Sequence, residues 1–207
     1  MRILVVGATG TIGKEVVAAL AAEHEIVPAS RRSSELTVDI ADPASIRALY
    51  ERVGKVDAVV SAAGQGGAFK PLAELADDDF AFSLRNKLMG QVNLVRLGLD
   101  HVRDGGSFTV TSGVLSRSPM VGSAAISLVN AALEGFVRAA ALEAPRGIRV
   151  NVVSPPWVEE TLRELKMEGV PGLPAAMVAR AYVRSVTGGE NGAVVEPAAG
   201  ARVSGAT

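Results

Sequence analysis

Short apolar runs alternate with amphipathic segments of helical period along this chain of 207 residues. The alternation is typical of a parallel sheet, because each parallel strand needs a crossover, usually a helix, before the next strand. Strands are predicted at 2–6, 25–29, 36–38, 57–61, 107–111, 149–153 and 193–196. Helices are predicted at 11–22, 43–53, 77–100, 122–143, 159–166 and 175–186. The pattern predicts an α/β, Rossmann-type, doubly wound parallel sheet of about seven strands flanked by helices, in a single domain over 1–207.

Composition excludes several classes of function. There is no cysteine, which rules out disulfides, thiolate chemistry and cysteine-bound metals, and the two histidines, His24 and His101, sit beside acids near expected helix ends. We therefore predict no metal site. A net charge of −1 gives no electrostatic reason to bind nucleic acid or an anionic membrane. The longest uncharged run, 118–133, is short and broken by proline and polar residues, so we expect no membrane span, no signal peptide and a cytoplasmic location.

A glycine-rich turn follows the first predicted strand and opens the first predicted helix. The spacing is Gly7-x-x-Gly10-x-x-Gly13. Glycines suit such a turn because the backbone must approach a pyrophosphate closely and the helix must pack tightly on the strand, while free amides at the helix start bind phosphate. The residues predicted to contact the dinucleotide here are Gly7, Thr9, Gly10, Thr11, Ile12 and Gly13.

The end of the second predicted strand distinguishes between the two common dinucleotides. The chain reads Ser30-Arg31-Arg32, with two guanidiniums and no acid. An acid there would bind an unphosphorylated ribose, whereas arginine pairs with a 2′-phosphate. The sequence therefore favours NADP(H) over NAD(H), the alternative being that Arg31 and Arg32 are a solvated basic pair.

Several segments in order resemble the short-chain dehydrogenase/reductase family. They are the glycine turn, Val38-Asp39-Ile40, Ser61-Ala62-Ala63-Gly64, the strand 107–112 that ends in Ser112, and IRVNVVSP at 148–155. The resemblance implies an oxidoreductase that transfers hydride to or from a small carbonyl or alcohol, built as a homodimer or homotetramer. It assigns the catalytic serine to Ser112 and adenine binding to Asp39 and Ile40. It also implies cofactor contacts at Ser61, Ala62, Ala63, Gly64, Pro155 and Val158.

The helix 122–143 departs from that family at its catalytic pair. The family carries Tyr-x-x-x-Lys before a segment that AALEGFVRAAALE, at 131–143, matches well. Counting back from this segment places Asn130 at the lysine position and Ile126 at the tyrosine position. On the preceding helix, Phe80, Lys87 and Gly90 keep the family's spacing, so Lys87 takes the asparagine position and Asn86 is expected to face elsewhere. The alternative is that Lys87 is a surface residue.

The turn after the sixth predicted strand is the third departure. Pro156 removes an amide, and Glu160 is expected at the family's threonine position, with Thr161 one place late. Loss of the threonine contact predicts weaker binding of the cofactor. Trp157 is interpreted either as a wall of the substrate pocket or as a hydrophobic plug.

Two hypotheses of function follow. In the first, the chain is an NADP(H)-dependent oxidoreductase with a rearranged site, whose candidate catalytic residues are Ser112, Lys87 and Asn130. In the second, it is a non-catalytic NADP(H)-binding sensor or interaction protein. The small residues at 122–125, 127, 131 and 132 would then allow close approach of a second subunit, unless they only pack on the sheet.

Overall fold

Seven parallel strands form one sheet in the computed structural model, which describes residues 1–32, 34–64 and 67–198. The strands are β1 (Arg2–Val6), β2 (Glu25–Ser30), β3 (Leu36–Thr37), β4 (Val56–Ser61), β5 (Val102–Thr111), β6 (Arg149–Val153) and β7 (Val194–Val195). Their order across the sheet is β3-β2-β1-β4-β5-β6-β7. Successive strands are added on one side of β1 up to β3 and on its other side from β4 onward, so the strand order reverses between β1 and β4. The predicted α/β fold class is confirmed.

Helices cover both faces of the sheet. They are α1 (Thr11–Leu20), α2 (Pro43–Val53), α3 (Asp77–Ser83), α4 (Gly90–Gly98), α5 (Ala124–Glu143), α6 (Glu159–Glu164) and α7 (Ala175–Thr187). Alternate side chains of β1 enter two separate cores: Leu4 packs with α2, α4 and α5, and Ile3 packs with α1 and α7. Burial on both faces explains why β1 and most of β4 are runs of apolar residues, RILVV and VDAVVS.

The predicted helix over 77–100 is interrupted. A π-helical turn, Leu84–Met89, separates α3 from α4. The acids Asp77, Asp78 and Asp79 lie in the first turn of α3, where Asp79 accepts a hydrogen bond from the Ala76 amide at 3.0 Å. Negative charge is favourable there because of the helix dipole.

The helix α5 has the length and mean hydropathy of a membrane span. It nevertheless lies on the sheet with Val129, Leu133 and Val137 fully buried, and it carries Glu134 and Arg138. Its apolar character is therefore accounted for in part by packing within the fold.

Candidate active site

The larger of two adjoining cavities lies at the carboxyl ends of β1, β2 and β4, where the strand order reverses. Open parallel sheets bind ligands at this position. Its volume is about 590 Å³, and we refer to it as the nucleotide cleft. Of the residues predicted to bind the dinucleotide, those that line it are Gly7, Thr9, Gly10, Thr11, Ile12, Ser30, Arg31, Asp39, Ile40, Ala62, Ala63 and Gly64. Residues that the sequence did not predict also line it, namely Val6, Val38, Asn86, Thr161 and Glu164.

The glycine turn is built so tightly that side chains cannot be added. Gly7 has φ +85°, and a Cβ there would lie 2.8 Å from the carbonyl carbon of Ala62. A Cβ on Gly13 would lie 1.9 Å from the Gly7 oxygen. The helix α1 starts at Thr11 with no side-chain cap and no acid in its first turn. No side chain caps the first backbone amides of α1, so these N–H groups can donate to an anion. The turn therefore fits a dinucleotide pyrophosphate.

Five predicted cofactor contacts do not line the nucleotide cleft: Pro155 and Val158, which line the smaller of the two cavities, and Gly13, Arg32 and Ser61. Gly13 packs against the backbone of the glycine turn, so closely that its position has no room for a Cβ beside the Gly7 oxygen. Arg32 is exposed and lies outside the lining. Ser61 is buried, and its hydroxyl has no hydrogen-bond partner among the described residues.

The second cavity has a volume of about 170 Å³, and we call it the Lys87 cavity. Its lining is Lys87, Ser112, Gly113, Val114, Leu115, Ile126, Asn130, Pro155, Pro156, Trp157, Val158 and Thr161. All three candidate catalytic residues therefore meet at one place, together with Pro155 and Val158. Thr161 lines both cavities, which makes them neighbours. Trp157 forms a wall of the Lys87 cavity and packs edge-on against Phe69.

Lys87 is a buried lysine, so its interpretation as a surface residue is wrong. It is 8% exposed, and its Nζ donates to the Ser112 carbonyl at 3.0 Å. None of the ion pairs among the described residues involves it. Because burial disfavours the charged form, it lowers the pKa of Lys87 from 10.5 to about 8.

The Ser112 hydroxyl is held by a carboxylate that the sequence analysis missed. Its Oγ donates to Glu134 Oε1 at 3.0 Å, and Ser116 Oγ donates to the same oxygen at 2.7 Å. Arg117 pairs with that oxygen at 3.2 Å. Since the serine proton is directed at Glu134, Ser112 Oγ presents lone pairs to any other partner. Glu134 follows Asn130 by four residues, and this helical spacing was the signal available in the sequence.

Asn130 is only partly satisfied. Its Nδ2 donates to the Gly113 carbonyl at 3.3 Å, a long hydrogen bond. Its Oδ1 is buried and has no partner among the described residues. An unpartnered buried amide oxygen costs free energy, so this side chain is suited to a ligand or to water.

Two sequence expectations about neighbouring residues are wrong. Asn86 does not face away from the site: it lines the nucleotide cleft, and its Nδ2 donates to the Phe82 carbonyl at 3.0 Å. Glu160 is not at the cavities, because its Oε2 accepts the Ala175 amide at 3.0 Å at the start of α7. Thr161 faces the two cavities instead, so the predicted loss of a threonine contact does not follow.

Neither tyrosine of the chain reaches these cavities. Tyr50 is fully buried and donates to the Leu94 carbonyl at 2.6 Å. Tyr182 is fully buried on α7, and its hydroxyl lies 2.6 Å from Thr111 Oγ1. The Lys87 cavity therefore contains an ammonium, an amide and the hydroxyls of Ser112 and Thr161, and neither tyrosine contributes a phenol to it. Among the described residues, no cluster of three or more acidic or histidine side chains could hold a metal ion.

The protein is a Rossmann-type dinucleotide-binding protein. Three features define this class: the seven-stranded parallel sheet, the glycine turn that opens α1, and the cleft where the strand order reverses. A family model described as enoyl-(acyl carrier protein) reductase matches residues 2–196. The chain belongs to the short-chain dehydrogenase/reductase family, as the motifs of its sequence predicted.

Known proteins resemble the chain over most of its length. The 3beta-hydroxysteroid dehydrogenase of Mediterraneibacter gnavus is 28% identical over 185 residues, covering 78% of this chain and 67% of that protein. The crystal structure of the protein lin1944 from Listeria innocua is 45% identical, with a TM-score of 0.91 over 95% of this chain and 98% of that one. A small-chain dehydrogenase in complex with NADPH is 25% identical, with a TM-score of 0.84 over 95% of each chain.

Proposed function

We propose that the protein is an NADP(H)-dependent oxidoreductase that interconverts a small carbonyl compound and its alcohol, with a rearranged active site. The observation that carries the proposal is the junction of the two cavities at Thr161, which places Lys87, Ser112 and Asn130 beside a cleft shaped for a dinucleotide. The names of two similar proteins agree with this reading, since one is a dehydrogenase and the other was solved with NADPH.

NADP(H) fits the nucleotide cleft. The glycine turn and the first amides of α1 would hold the pyrophosphate, and Arg31, which lines the cleft, would pair with the 2′-phosphate. Asp39 and Ile40 would lie at the adenine. When bound, the cofactor supplies or accepts the hydride.

The side chains of the Lys87 cavity would handle the proton and the developing negative charge. Ile126 stands at the family's tyrosine position and has no proton to give. The Lys87 ammonium has three protons and donates one to the Ser112 carbonyl, so two remain for a substrate oxygen. A pKa of about 8 is close to neutral pH, which suits a general acid. Ser112 Oγ, fixed by Glu134, would accept a hydrogen bond from an alcohol, and Asn130 would orient the substrate.

Steady-state kinetics with a panel of aldehydes and ketones test this proposal. We expect NADPH oxidation with at least one of them, and a loss of roughly 100-fold or more in kcat in Lys87→Met. NADPH binding should be kept in that variant, measured by quenching of Trp157, the only tryptophan. The exposed Lys14→Met is the matched control and should retain turnover. Wild-type protein that binds NADPH but turns over no carbonyl compound would refute catalysis and favour the NADP(H)-binding sensor.

The preference for NADP(H) is tested separately. Replacing Arg31 and Arg32 by alanine should weaken NADPH binding by roughly 10-fold to 100-fold, because a charge-assisted hydrogen bond contributes about 1.5–3 kcal/mol. NADH binding should change little. Equal losses for both nucleotides would contradict a 2′-phosphate contact.

We also propose that the protein forms a homodimer or homotetramer through α5. Part of the small face predicted from the sequence is buried within the chain, namely Ser123 and Ala125. The exposed stripe on this helix instead comprises Ala124, Leu128, Ala131, Gly135 and Leu142, at helical spacing. Leu128→Glu should shift the mass measured by light scattering to that of a monomer; an unchanged mass would contradict the proposal.

A further inference from the structure

We propose that the Lys87 cavity selects short 2-oxo acids, and the corresponding 2-hydroxy acids, by pairing their carboxylate with the Lys87 ammonium. The inference rests on the proposed function for the reaction, but not for the binding step, which can be measured alone. It names the substrate class of the same site.

The Lys87 cation is uncompensated by any described carboxylate. Within the described residues its Nζ has one hydrogen-bond partner, a neutral carbonyl, and it forms no ion pair. Glu134 reaches the same serine from the other side, but its Oε1 already accepts from Ser112, Ser116 and Arg117. Burial lowers the pKa of Lys87, which agrees with the absence of a carboxylate within ion-pair distance of it among the described residues. Burying an unpaired cation costs free energy, and an anionic ligand beside it would offset part of that cost.

The charge of the cavity lining indicates how many charges the ligand carries. Among the described residues that line the cavity, Lys87 alone carries a charge. A ligand with one negative charge would neutralise it, whereas a second negative charge would be buried without a partner. The remaining walls are mainly apolar: Val114, Leu115, Ile126, Pro155, Pro156, Trp157 and Val158. They fit an aliphatic side chain.

The volume of the cavity and the free protons of Lys87 indicate the size of the ligand and the arrangement of its oxygens. A volume of about 170 Å³ is below the range of roughly 300–1,000 Å³ typical of drug-sized ligands, so the substrate is short. Two ammonium protons of Lys87 remain after its bond to the Ser112 carbonyl. In a 2-oxo acid a carboxylate oxygen and the carbonyl oxygen are adjacent, so one ammonium can contact both. The same cation would then bind the acid group and polarise the carbonyl that is reduced.

A matched pair of probes tests the proposal by binding alone. 4-Methyl-2-oxopentanoate and 4-methyl-2-pentanone share the branched chain and the ketone, and differ by a carboxylate in place of a methyl group. Trp157 is the only tryptophan and lines the cavity, so its fluorescence reports occupancy directly. Each probe is titrated into the full-length protein, without nucleotide and with saturating NADP⁺.

We expect the oxo acid to bind at least about tenfold more tightly than the ketone, as a charge-assisted hydrogen bond predicts. In Lys87→Met the two probes should bind within about threefold of each other, and Lys14→Met should keep the wild-type preference. Circular dichroism checks that both variants are folded.

Equal affinity for the two probes, a preference that persists in Lys87→Met, or no binding of the oxo acid under either condition would overturn the inference. These outcomes are separate from failure of the proposed function. Tight, Lys87-dependent binding without any turnover would refute the oxidoreductase and leave the carboxylate site standing.

Discussion

Replacing Lys87 by methionine should make the protein more stable at neutral pH. The substitution removes a buried cation and keeps the length of an apolar side chain. Burial lowers the pKa from 10.5 to about 8, and each pKa unit corresponds to about 1.4 kcal/mol, so the buried charge costs about 3 kcal/mol. Loss of the hydrogen bond to Ser112 offsets about 1 kcal/mol. The expected net gain in the free energy of unfolding is about 2 kcal/mol.

The gain should depend on pH in a defined direction. Below pH 8 the lysine is protonated in both folded and unfolded chains, and the full cost is present. Between pH 8 and 10.5 the unfolded chain binds the additional proton, so the stability of the wild type rises with pH relative to the variant. Urea denaturation of both proteins at pH 7 and at pH 10 measures this difference, which should shrink or reverse at the higher pH.

The exposed Lys14→Met serves as the control and should change stability by less than about 0.5 kcal/mol at either pH. If Lys87→Met is less stable than the wild type at pH 7, or if its gain is the same at pH 10, then Lys87 is not a strained buried cation. The preference of the Lys87 cavity for a carboxylate would then lose its physical basis.

Three further substitutions have defined outcomes. Gly7→Ala should lower stability by more than about 1 kcal/mol and weaken NADPH binding in calorimetry, because of its positive φ and the 2.8 Å approach to Ala62. Arg149→Met should cost about 2 kcal/mol in urea denaturation, since its guanidinium donates to two carbonyls at the end of α7, each at 3.0 Å. Glu134→Ala should cost about 2 kcal/mol by the same assay, because two serine hydroxyls and Arg117 lose their shared acceptor.

Each of these has a control in the chain. Gly189→Ala, where an added Cβ meets nothing within 4 Å, should be close to neutral. Arg138→Met removes an exposed guanidinium and should also be close to neutral. Glu134→Gln keeps an acceptor oxygen and should recover part of the loss. If alanine and glutamine at position 134 are equally destabilising, charge rather than hydrogen bonding holds the cluster.

The fold could be predicted closely because strands buried on both faces appear in the sequence as short apolar runs, and because the turns between elements are marked by neighbouring residues. The bounds of β1, β6 and α2 agree with the sequence at every residue. The start of β5 does not: the segment Arg103 to Gly106 resembles a turn, yet the strand begins at Val102, which pairs with Val56 before an irregularity in register. That pairing depends on a neighbouring strand, which no local pattern reports.

The candidate site could be predicted in part. The resemblance to the short-chain dehydrogenase/reductase family predicted that Lys87, Ser112 and Asn130 lie together, and the structure brings them to one cavity. The burial of Lys87 could not be predicted, because it depends on packing from several elements. The spacing of Glu134 after Asn130 places it on the same face of α5, but its partners could not be predicted, since Ser116 and Arg117 lie in the segment after β5. Such contacts depend on the path of that segment rather than on periodicity.

The π-helical turn at Leu84–Met89 makes the number of residues in that segment a determinant of the site. It directs Asn86 to the nucleotide cleft and Lys87 to the neighbouring cavity. Each α-helical residue advances the helix by about 100°, so deleting one residue here would restore ordinary helical phase and turn one side of the junction away from its cavity. A single-codon deletion would therefore remove one of the two side chains from its cavity while leaving every remaining amino acid unchanged.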